Sequence, residues 1–178
     1  MIRIHFAAAI ALLLFACKPD GPSKSNKSQL NDIAVLNDSV VNNLTGANFK
    51  KMAPQLVNQM LEYVKEHPQD TICAKYLLKS GDFQRGLGQF QPALASWDLL
   101  QKNYPNSKEA PEGLFLSAFT YENDIKDLAK AKSLYESFLK LYPEHVLAIQ
   151  VPEILKVLGK SPEELIKAFQ AKQNKMAQ

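Results

Sequence analysis

The sequence predicts an all-α protein, a right-handed solenoid of antiparallel helix hairpins with about three repeats and a C-terminal capping helix. The main observation is an internal repeat: residues 74–105 align with residues 112–143 at a shift of 38. The aligned pairs are Ala93 with Ala131, Trp97 with Tyr135, Leu100 with Phe138, Tyr104-Pro105 with Tyr142-Pro143, and Ala110 with Ala148. A small residue, an aromatic residue and a Tyr-Pro stop that recur at this period are typical of stacked helix pairs.

Length and composition allow a real core and exclude several kinds of function. The chain has 178 residues, of which 46% are hydrophobic and 22% charged, with a net charge of +3. This charge is too small to indicate nucleic-acid binding, and basic runs with interleaved aromatic residues are missing from the sequence. Its three histidines lie far apart with no second ligand at metal spacing, so we expect no metal site. Of the two cysteines, Cys17 follows an N-terminal apolar run and Cys73 stands alone in a helical pattern, so we expect no disulfide framework. We also expect no cofactor.

The N-terminus predicts a signal peptide over residues 1–16. Arg3 precedes an apolar run of ten residues, Phe6 to Phe15, which is too short to span a bilayer. The run ends in Leu14-Phe15-Ala16-Cys17, which resembles the lipobox of bacterial lipoproteins. The resemblance implies that Cys17 carries a diacylglycerol thioether and an acylated amine, which anchor the protein in a membrane. The alternative is an ordinary secreted protein whose mature chain happens to begin with cysteine.

The residues after Cys17 predict a location and a tether. Lys18, rather than aspartate, follows the cysteine. By its resemblance to enterobacterial lipoproteins, this residue implies an outer-membrane anchor that faces the periplasm. Lys18-Pro19-Asp20 is also a short version of a surface-export signal. The sequence therefore leaves the periplasmic and the cell-surface leaflet of the outer membrane as alternatives. Residues 18–29 contain no apolar residue apart from prolines. We therefore expect residues 17–29 to form a lipidated, disordered tether with a reach of ~20 Å.

The helical domain is predicted over residues 30–173, with a frayed tail at 174–178. Apolar residues in 30–44 recur at helical spacing, but asparagines make this first helix weak. Residues 51–67 form a better helix, which His67-Pro68 ends. Met60 and Tyr63 occupy the positions of Trp97 and Leu100 in an earlier, diverged copy of the repeat.

The two aligned hairpins have clear start and stop signals. Asp70 is the predicted N-cap of a helix that runs to about Leu87, where Gly86 and Gly88 suit its end. The second helix has Pro92 in its first turn and runs to Asn103. In the next hairpin Asn106 or Ser107 caps a helix with Pro111 in its first turn. A turn begins at Asn123-Asp124, and Asp127 caps the following helix.

The C-terminal part predicts a short helix and a capping helix. Pro152 means that the next helix is either kinked or starts late, and we favour residues 151–158, ended by Gly159. Ser161-Pro162-Glu163-Glu164 is a capping box with proline at the first helical position. The expected docking residues of the final helix are Leu165, Ile166 and Phe169.

The repeat resembles the tetratricopeptide repeat. The residues that carry the resemblance are Gly88, Phe90, Ala93, Trp97 and Pro105, and then Ala131, Tyr135 and Pro143. The period of 37 to 38 is longer than the usual 34. Such chains are similar to tetratricopeptide lipoproteins of the bacterial envelope, such as BamD of the barrel-assembly machine and the division coordinator related to YbgF. The resemblance implies a scaffold that binds other proteins.

No group of residues predicts catalysis, so we expect the protein not to be an enzyme. Ser80-Gly81-Asp82 has no histidine nearby, and Glu163-Glu164 belong to a helix cap. Gly86-Leu87-Gly88 lacks the strand and helix context of a phosphate loop. Cys73 is best explained as an inert buried thiol, although a position near a helix N-terminus would also suit a reactive one.

The candidate binding surface is the row of first helices, which line the concave face of a tetratricopeptide array. Helical spacing and the shift of 38 give the residues expected to face solvent. These are Lys75, Lys79 and Asp82, their shifted partners Gly113, Ser117 and Thr120, and Arg85 and Asn123 at the lip. The alternative is an ordinary solvated face without a partner.

The sequence therefore predicts a lipid-anchored adaptor of the bacterial cell envelope. Its partners would be other envelope proteins, in assembly or division, and the membrane itself through Cys17. The alternative is a lipoprotein that binds a glycan or a solute for an uptake system. Exposed aromatic side chains on the groove would favour that alternative, but the pattern places them in the core.

Overall fold

The computed structural model describes residues 25–43, 46–161, 163–167, 170 and 173, and these residues form a row of packed helices. The helices are α1 (Asn26–Val41), α2 (Ala47–Glu66), α3 (Ile72–Gly86), α4 (Phe90–Asn103), α5 (Ala110–Thr120), α6 (Leu128–Leu141) and α7 (Val151–Val157). A π-helical turn, Tyr121–Ile125, extends α5, a 3-10 turn, Val146–Ile149, precedes α7, and residues 163–167 are helical. Each helix from α1 to α6 packs on the next, and α3 also contacts α5. The predicted solenoid of helix hairpins is confirmed.

The repeated residues form the core, as the alignment predicts. Trp97 and Tyr135 are fully buried, and Ala93 and Ala131 lie beside them with no exposed surface. Met60 and Tyr63 of α2 are buried in the same way, which confirms the diverged earlier copy. One cluster joins helices α1 to α4, and a second joins α5, α6 and α7. Most of the matching positions therefore determine how hairpins stack.

The single shift of 38 is wrong for the first helices of the two hairpins. Their buried positions match at a shift of 37. The matches are Cys73, Ala74, Tyr76, Leu77, Ser80, Gly81 and Phe83 with Ala110, Pro111, Gly113, Leu114, Ser117, Ala118 and Thr120. The second helices match at 38. The π-helical turn at 121–125 supplies the extra residue, because a π-bulge is a one-residue insertion into an α-helix.

Helix α1 begins before the predicted domain boundary. It starts at Asn26, so residues 26–29, which were predicted to belong to the tether, form its first turn. The Ser25 side chain accepts a hydrogen bond from the Ser28 amide, and Gln29 Nε2 donates to Glu66 on α2 at 2.5 Å. Polar contacts order this turn, so the lack of apolar residues was a poor guide. The predicted signal peptide, Cys17 and residues 18–24 lie outside the described residues, as does the predicted tail at 174–178.

Local start signals were mostly correct. Asp127 Oδ1 accepts from the Lys130 amide at 2.9 Å, and Ser161 and Glu164 form the reciprocal bonds of a capping box. Helix α7 starts late, with Pro152 in its first turn.

Three start and docking predictions were wrong or displaced. Thr71 is the N-cap of α3, although Asp70 Oδ1 accepts from the Ile72 amide at 3.1 Å. Glu109, not Asn106 or Ser107, is the N-cap of α5, because a turn occupies residues 105–109. Ile166 is exposed rather than docked, and Phe169 lies outside the described residues.

The turns between hairpins line up along one edge of the array. The Tyr104 hydroxyl donates to the Pro68 carbonyl at 2.7 Å, and the Tyr142 hydroxyl reaches the Pro105 carbonyl at 3.5 Å. The start of α1 joins the same edge, because the Tyr63 hydroxyl at the end of α2 bonds to Asn26 at 2.6 Å. We call residues 25–29, 65–71, 102–109 and 140–150 the turn edge. Within the described part of the chain, the helices are too short or too polar to cross a membrane.

Candidate binding surface

The first helices α1, α3 and α5 form the candidate binding surface. Lys79 Nζ on α3 donates to Asn37 Oδ1 on α1 at 2.8 Å, and α3 contacts α5. On α3, Lys75 and Asp82 are exposed, and Lys79 and Arg85 are half-buried. Lys75 and Asp82 face solvent as the sequence predicted, whereas Lys79 and Arg85 are half-buried and bond to Asn37 and Asp124.

Ser117 and Thr120 do not face solvent, which corrects the prediction. Ser117 is 9% exposed and Thr120 is 0% exposed, and Gly113 is buried too. Ser117 Oγ donates to the Gly113 carbonyl at 2.9 Å, within its own helix. The register error explains this result, since a shift of 37 makes Leu116 and Phe119 the counterparts of Lys79 and Asp82.

Leu116 and Phe119 are half-buried on α5, and sequence reasoning missed them. Helix α5 is apolar on several sides, so its pattern alone does not separate the core face from the concave face. The sequence did hold a signal for these two residues: at a shift of 37 the charged Lys75 aligns with the charged Glu112, and both are exposed. The candidate surface is therefore polar on α3 and partly apolar on α5.

Arg85 connects α3 to the π-helical turn at one end of the surface. Its Nε donates to Asp124 Oδ2 at 2.6 Å, and its guanidinium lies 4.8 Å from the centre of the Phe119 ring. Asn123 is exposed in the same turn, and its Nδ2 donates to the Phe119 carbonyl at 3.1 Å. Arg85 and Asn123 thus both contact Phe119 at one end of the surface.

Asp82 is the most perturbed carboxyl on this surface. Partial desolvation by the surrounding protein is the main cause that raises the pKa of Asp82 to about 7, and the charge of Glu112 is the next. The side chain nevertheless reaches solvent. Lys79 and Arg85 oppose this shift, but their heads are engaged by Asn37 and Asp124. Burial, followed by the charge of Lys75, lowers the pKa of Lys79. The surface therefore carries a carboxyl whose pKa lies above its ordinary value.

Cys73 is a buried thiol, as the sequence indicates. It has no exposed surface, and its Sγ donates to the His67 carbonyl at 3.1 Å. Burial raises the pKa of the Cys73 thiol, which keeps it protonated at neutral pH. This environment suits a structural cysteine rather than a nucleophile.

A polar network at the turn edge escaped the sequence reasoning. The Tyr63 hydroxyl lies 2.6 Å from Asp70 Oδ2, and His67 Nε2 lies 2.8 Å from Gln29 Oε1. Burial, and then the hydrogen bond to Asp70, raise the pKa of the Tyr63 phenol, while that bond lowers the pKa of Asp70. The sequence did hold a signal for this network: Tyr63 occupies the core position of Leu100, and a buried hydroxyl needs a hydrogen-bond partner.

Neither a group of metal ligands nor a fully exposed aromatic ring is found among the described residues. No group of three or more His, Cys, Asp or Glu side chains in the described part of the chain could hold a metal ion. Each aromatic side chain in the described ranges is buried or half-buried. A cleft of about 640 Å³ lies at the turn edge between the start of α3 and residues 103–109, beside the candidate surface.

Comparison with protein families identifies the repeats. Residues 75–107 and 112–145 each match the tetratricopeptide repeat. The segments begin at 75 and 112, which are 37 residues apart, and end at 107 and 145, which are 38 apart, as the π-helical turn requires. Comparison with curated proteins and with solved structures found no match. The central part of the chain therefore carries two tetratricopeptide repeats, which are typically scaffolds for protein–protein interaction.

Proposed function

We propose that this protein is a lipid-anchored, non-catalytic adaptor of the bacterial cell envelope that binds another protein on its concave face. The observation that carries the proposal is the surface formed by α1, α3 and α5. It combines exposed charges, Lys75 and Asp82, with half-buried apolar side chains, Leu116 and Phe119. Such a mixture suits a peptide segment that is apolar on one side and charged on the other.

Photo-crosslinking in cells tests the binding surface. A photoreactive residue replaces Lys75 on the concave face or, as the matched control, Asp98, which is exposed on the second helix α4. The proposal expects a discrete crosslinked protein from position 75 and none from position 98. Equal capture from both positions, or no capture from either, would contradict a partner on this face.

The proposed anchor is a lipid on Cys17. Its support is the apolar run that ends at Ala16, directly before the cysteine. Detergent phase partitioning tests it: the wild type should enter the detergent phase, and Cys17→Ala should stay aqueous. Cys73→Ala is the control, because the other cysteine lies in the core and should not affect partitioning. An aqueous wild type would end the anchor proposal.

The proposed location is the outer membrane, with the helical domain facing the periplasm. Lys18 directly after the cysteine supports this location. Membrane fractionation of Lys18→Asp should show a move toward the inner membrane, while a Lys27→Asp control should not. Protease added to intact cells distinguishes the leaflets, since a periplasmic domain is protected. Within the envelope, we favour an accessory role in assembly or division over a core subunit of the barrel-assembly machine.

A further inference from the structure

We infer that the turn edge is a lipid-contacting surface, which lays this edge of the array against the bilayer. The inference rests on the proposed lipid anchor at Cys17. The turn edge is continuous, because Tyr104 bonds to Pro68 and Tyr142 approaches Pro105. It runs from Asn26 at the start of α1 to the 3-10 turn Val146–Ile149.

Exposed apolar side chains at the C-terminal end of the turn edge are the first evidence. Leu141 is 59% exposed, Val146 71% and Ile149 80%. One repeat earlier, at a shift of 38, the positions of Leu141 and Val146 hold Asn103 and Lys108, which are also exposed. The fold therefore does not require apolar residues at these two places. Exposed apolar side chains that share one stretch of surface mark sites of contact with a partner or a membrane.

Lysines provide the second evidence. Each second helix has one exposed lysine in its last turn, namely Lys65 in α2, Lys102 in α4 and Lys140 in α6. Lysine suits the end of a helix dipole, but here the three also share one edge with the apolar cluster. The turn edge holds five lysines against the four carboxyl groups of Glu66, Asp70, Glu109 and Glu144, a net charge of +1. Its lysines therefore support contact with an anionic lipid surface only together with the exposed apolar side chains.

The length of chain before α1 is the third evidence. Seven residues lie between Cys17 and Ser25, so Cys17 and Ser25 are separated by at most ~28 Å of fully extended chain. The chain enters α1 at the turn edge, where Asn26 meets Tyr63. The opposite edge, with residues 87–89, is farther from this entry by about 21 Å, the length of the 14-residue α4. The chain that carries Cys17 thus enters the domain at the turn edge, which is the edge nearer to a lipid on Cys17.

Depth-dependent quenching on the membrane-anchored protein tests this contact. Val146→Cys carries an environment-sensitive fluorophore, and Gln89→Cys, exposed on the opposite edge, is the matched control. Each processed protein is reconstituted into phosphatidylcholine vesicles that contain phosphatidylglycerol and a spin-labelled lipid. We expect a blue shift and strong quenching at position 146 and neither at position 89. Ile149→Asp in the Val146→Cys chain should abolish most of the quenching, and because Ile149 is exposed the fold should persist.

The outcomes separate this inference from the proposed anchor. Vesicle flotation first reports whether the protein is in the membrane fraction. A floating protein with unquenched fluorophores at both positions, or with equal quenching at both, overturns the lipid contact and leaves the anchor intact. A protein that does not float refutes the anchor, and the contact that rests on it falls as well. Quenching at 146 that survives Ile149→Asp would also overturn the contact, because the apolar cluster would then be irrelevant.

Discussion

The backbone at Gly81 packs directly against the indole ring of Trp97, so that a β-carbon added at Gly81 would lie 2.7 Å from Cδ1 and closer still to Nε1. Trp97 cannot easily move away, because it has no exposed surface and its Nε1 donates to the Leu78 carbonyl at 3.2 Å. In the second repeat the equivalent residues are Ala118 and Tyr135, both fully buried. The hairpin with the larger ring, Trp97, thus has glycine opposite it, and the hairpin with the smaller ring, Tyr135, has alanine.

Gly81→Ala should therefore destabilise the protein by ~1–3 kcal/mol through overpacking. Trp97→Tyr alone should also cost ~1–3 kcal/mol, since it leaves a cavity and removes a hydrogen bond. The double variant reproduces the pair of the second repeat, so its cost should be clearly smaller than the sum of the single costs. Urea denaturation monitored by circular dichroism measures all three free energies. Strict additivity would show that Gly81 and Trp97 do not constrain each other.

Ala93 and Ala131 sit at the crossings of the two hairpins with no exposed surface. Ala93→Trp or Ala131→Trp should lower the free energy of unfolding by at least ~1–3 kcal/mol, because the ring has no space between the helices. Ala95→Trp and Ala129→Trp are matched controls, as both residues are exposed on the same helices. A shift in melting temperature only for the buried positions is expected. Equal effects at Ala93 and Ala95 would mean that the crossing tolerates bulk.

These residues show why the core was predictable from the sequence. The small residue at a crossing, the ring beside it and the Tyr-Pro stop all depend on local spacing, which the repeat displays twice. Capping residues such as Asp127 were predictable for the same reason, since a cap bonds only three residues away.

The candidate surface was less predictable than the core, because the π-helical turn at residues 121–125 changes the register of α5. A π-helical turn leaves no clear mark in the sequence, yet it shifts α5 by one residue relative to α6. Ser117 and Thr120 are therefore core residues, and Phe119 is the half-buried counterpart of Asp82. Likewise, the first turn of α1 depends on hydrogen bonds from Gln29 to residues 37 and 38 positions away, which no local pattern contains.

Arg85 should stabilise the π-helical turn through Asp124 and Phe119. Both partners of the ion pair are partly exposed, so Arg85→Ala should cost only about 1 kcal/mol, from a screened ion pair and a cation–π contact. Hydrogen exchange of the amides at 121–127 should become faster. Lys132→Ala is the control, because its pair with Glu136 is long, at 3.9 Å, and well exposed. Unchanged exchange in the turn would show that Arg85 does not hold it.

Tyr104→Phe removes the hydroxyl that bonds to the Pro68 carbonyl across two hairpins. The loss should cost ~0.5–1.5 kcal/mol, the usual contribution of a neutral hydrogen bond. Tyr121→Phe is the matched control, since Tyr121 is half-buried like Tyr104 but lies at the other end of α5, away from the turn edge. Chemical denaturation of the two variants makes the comparison. If both cost the same, the turn edge does not depend on this bond.

Asp82 should make the stability of the protein depend on pH in a definite direction. Its pKa in the folded protein is raised to about 7 from an ordinary 3.8, mainly by desolvation of the carboxyl group. The unfolded chain therefore loses the proton first as pH rises, so stability should fall between about pH 4 and 7 and be level above that range. Asp82→Asn removes this ionisation, so the variant's advantage over the wild type should grow across this window. Urea denaturation at a series of pH values measures the difference, and Glu136→Gln, exposed on α6, controls for a general change in charge. An advantage of Asp82→Asn that does not vary with pH would show that the Asp82 carboxyl is already ionised in the folded protein throughout the window.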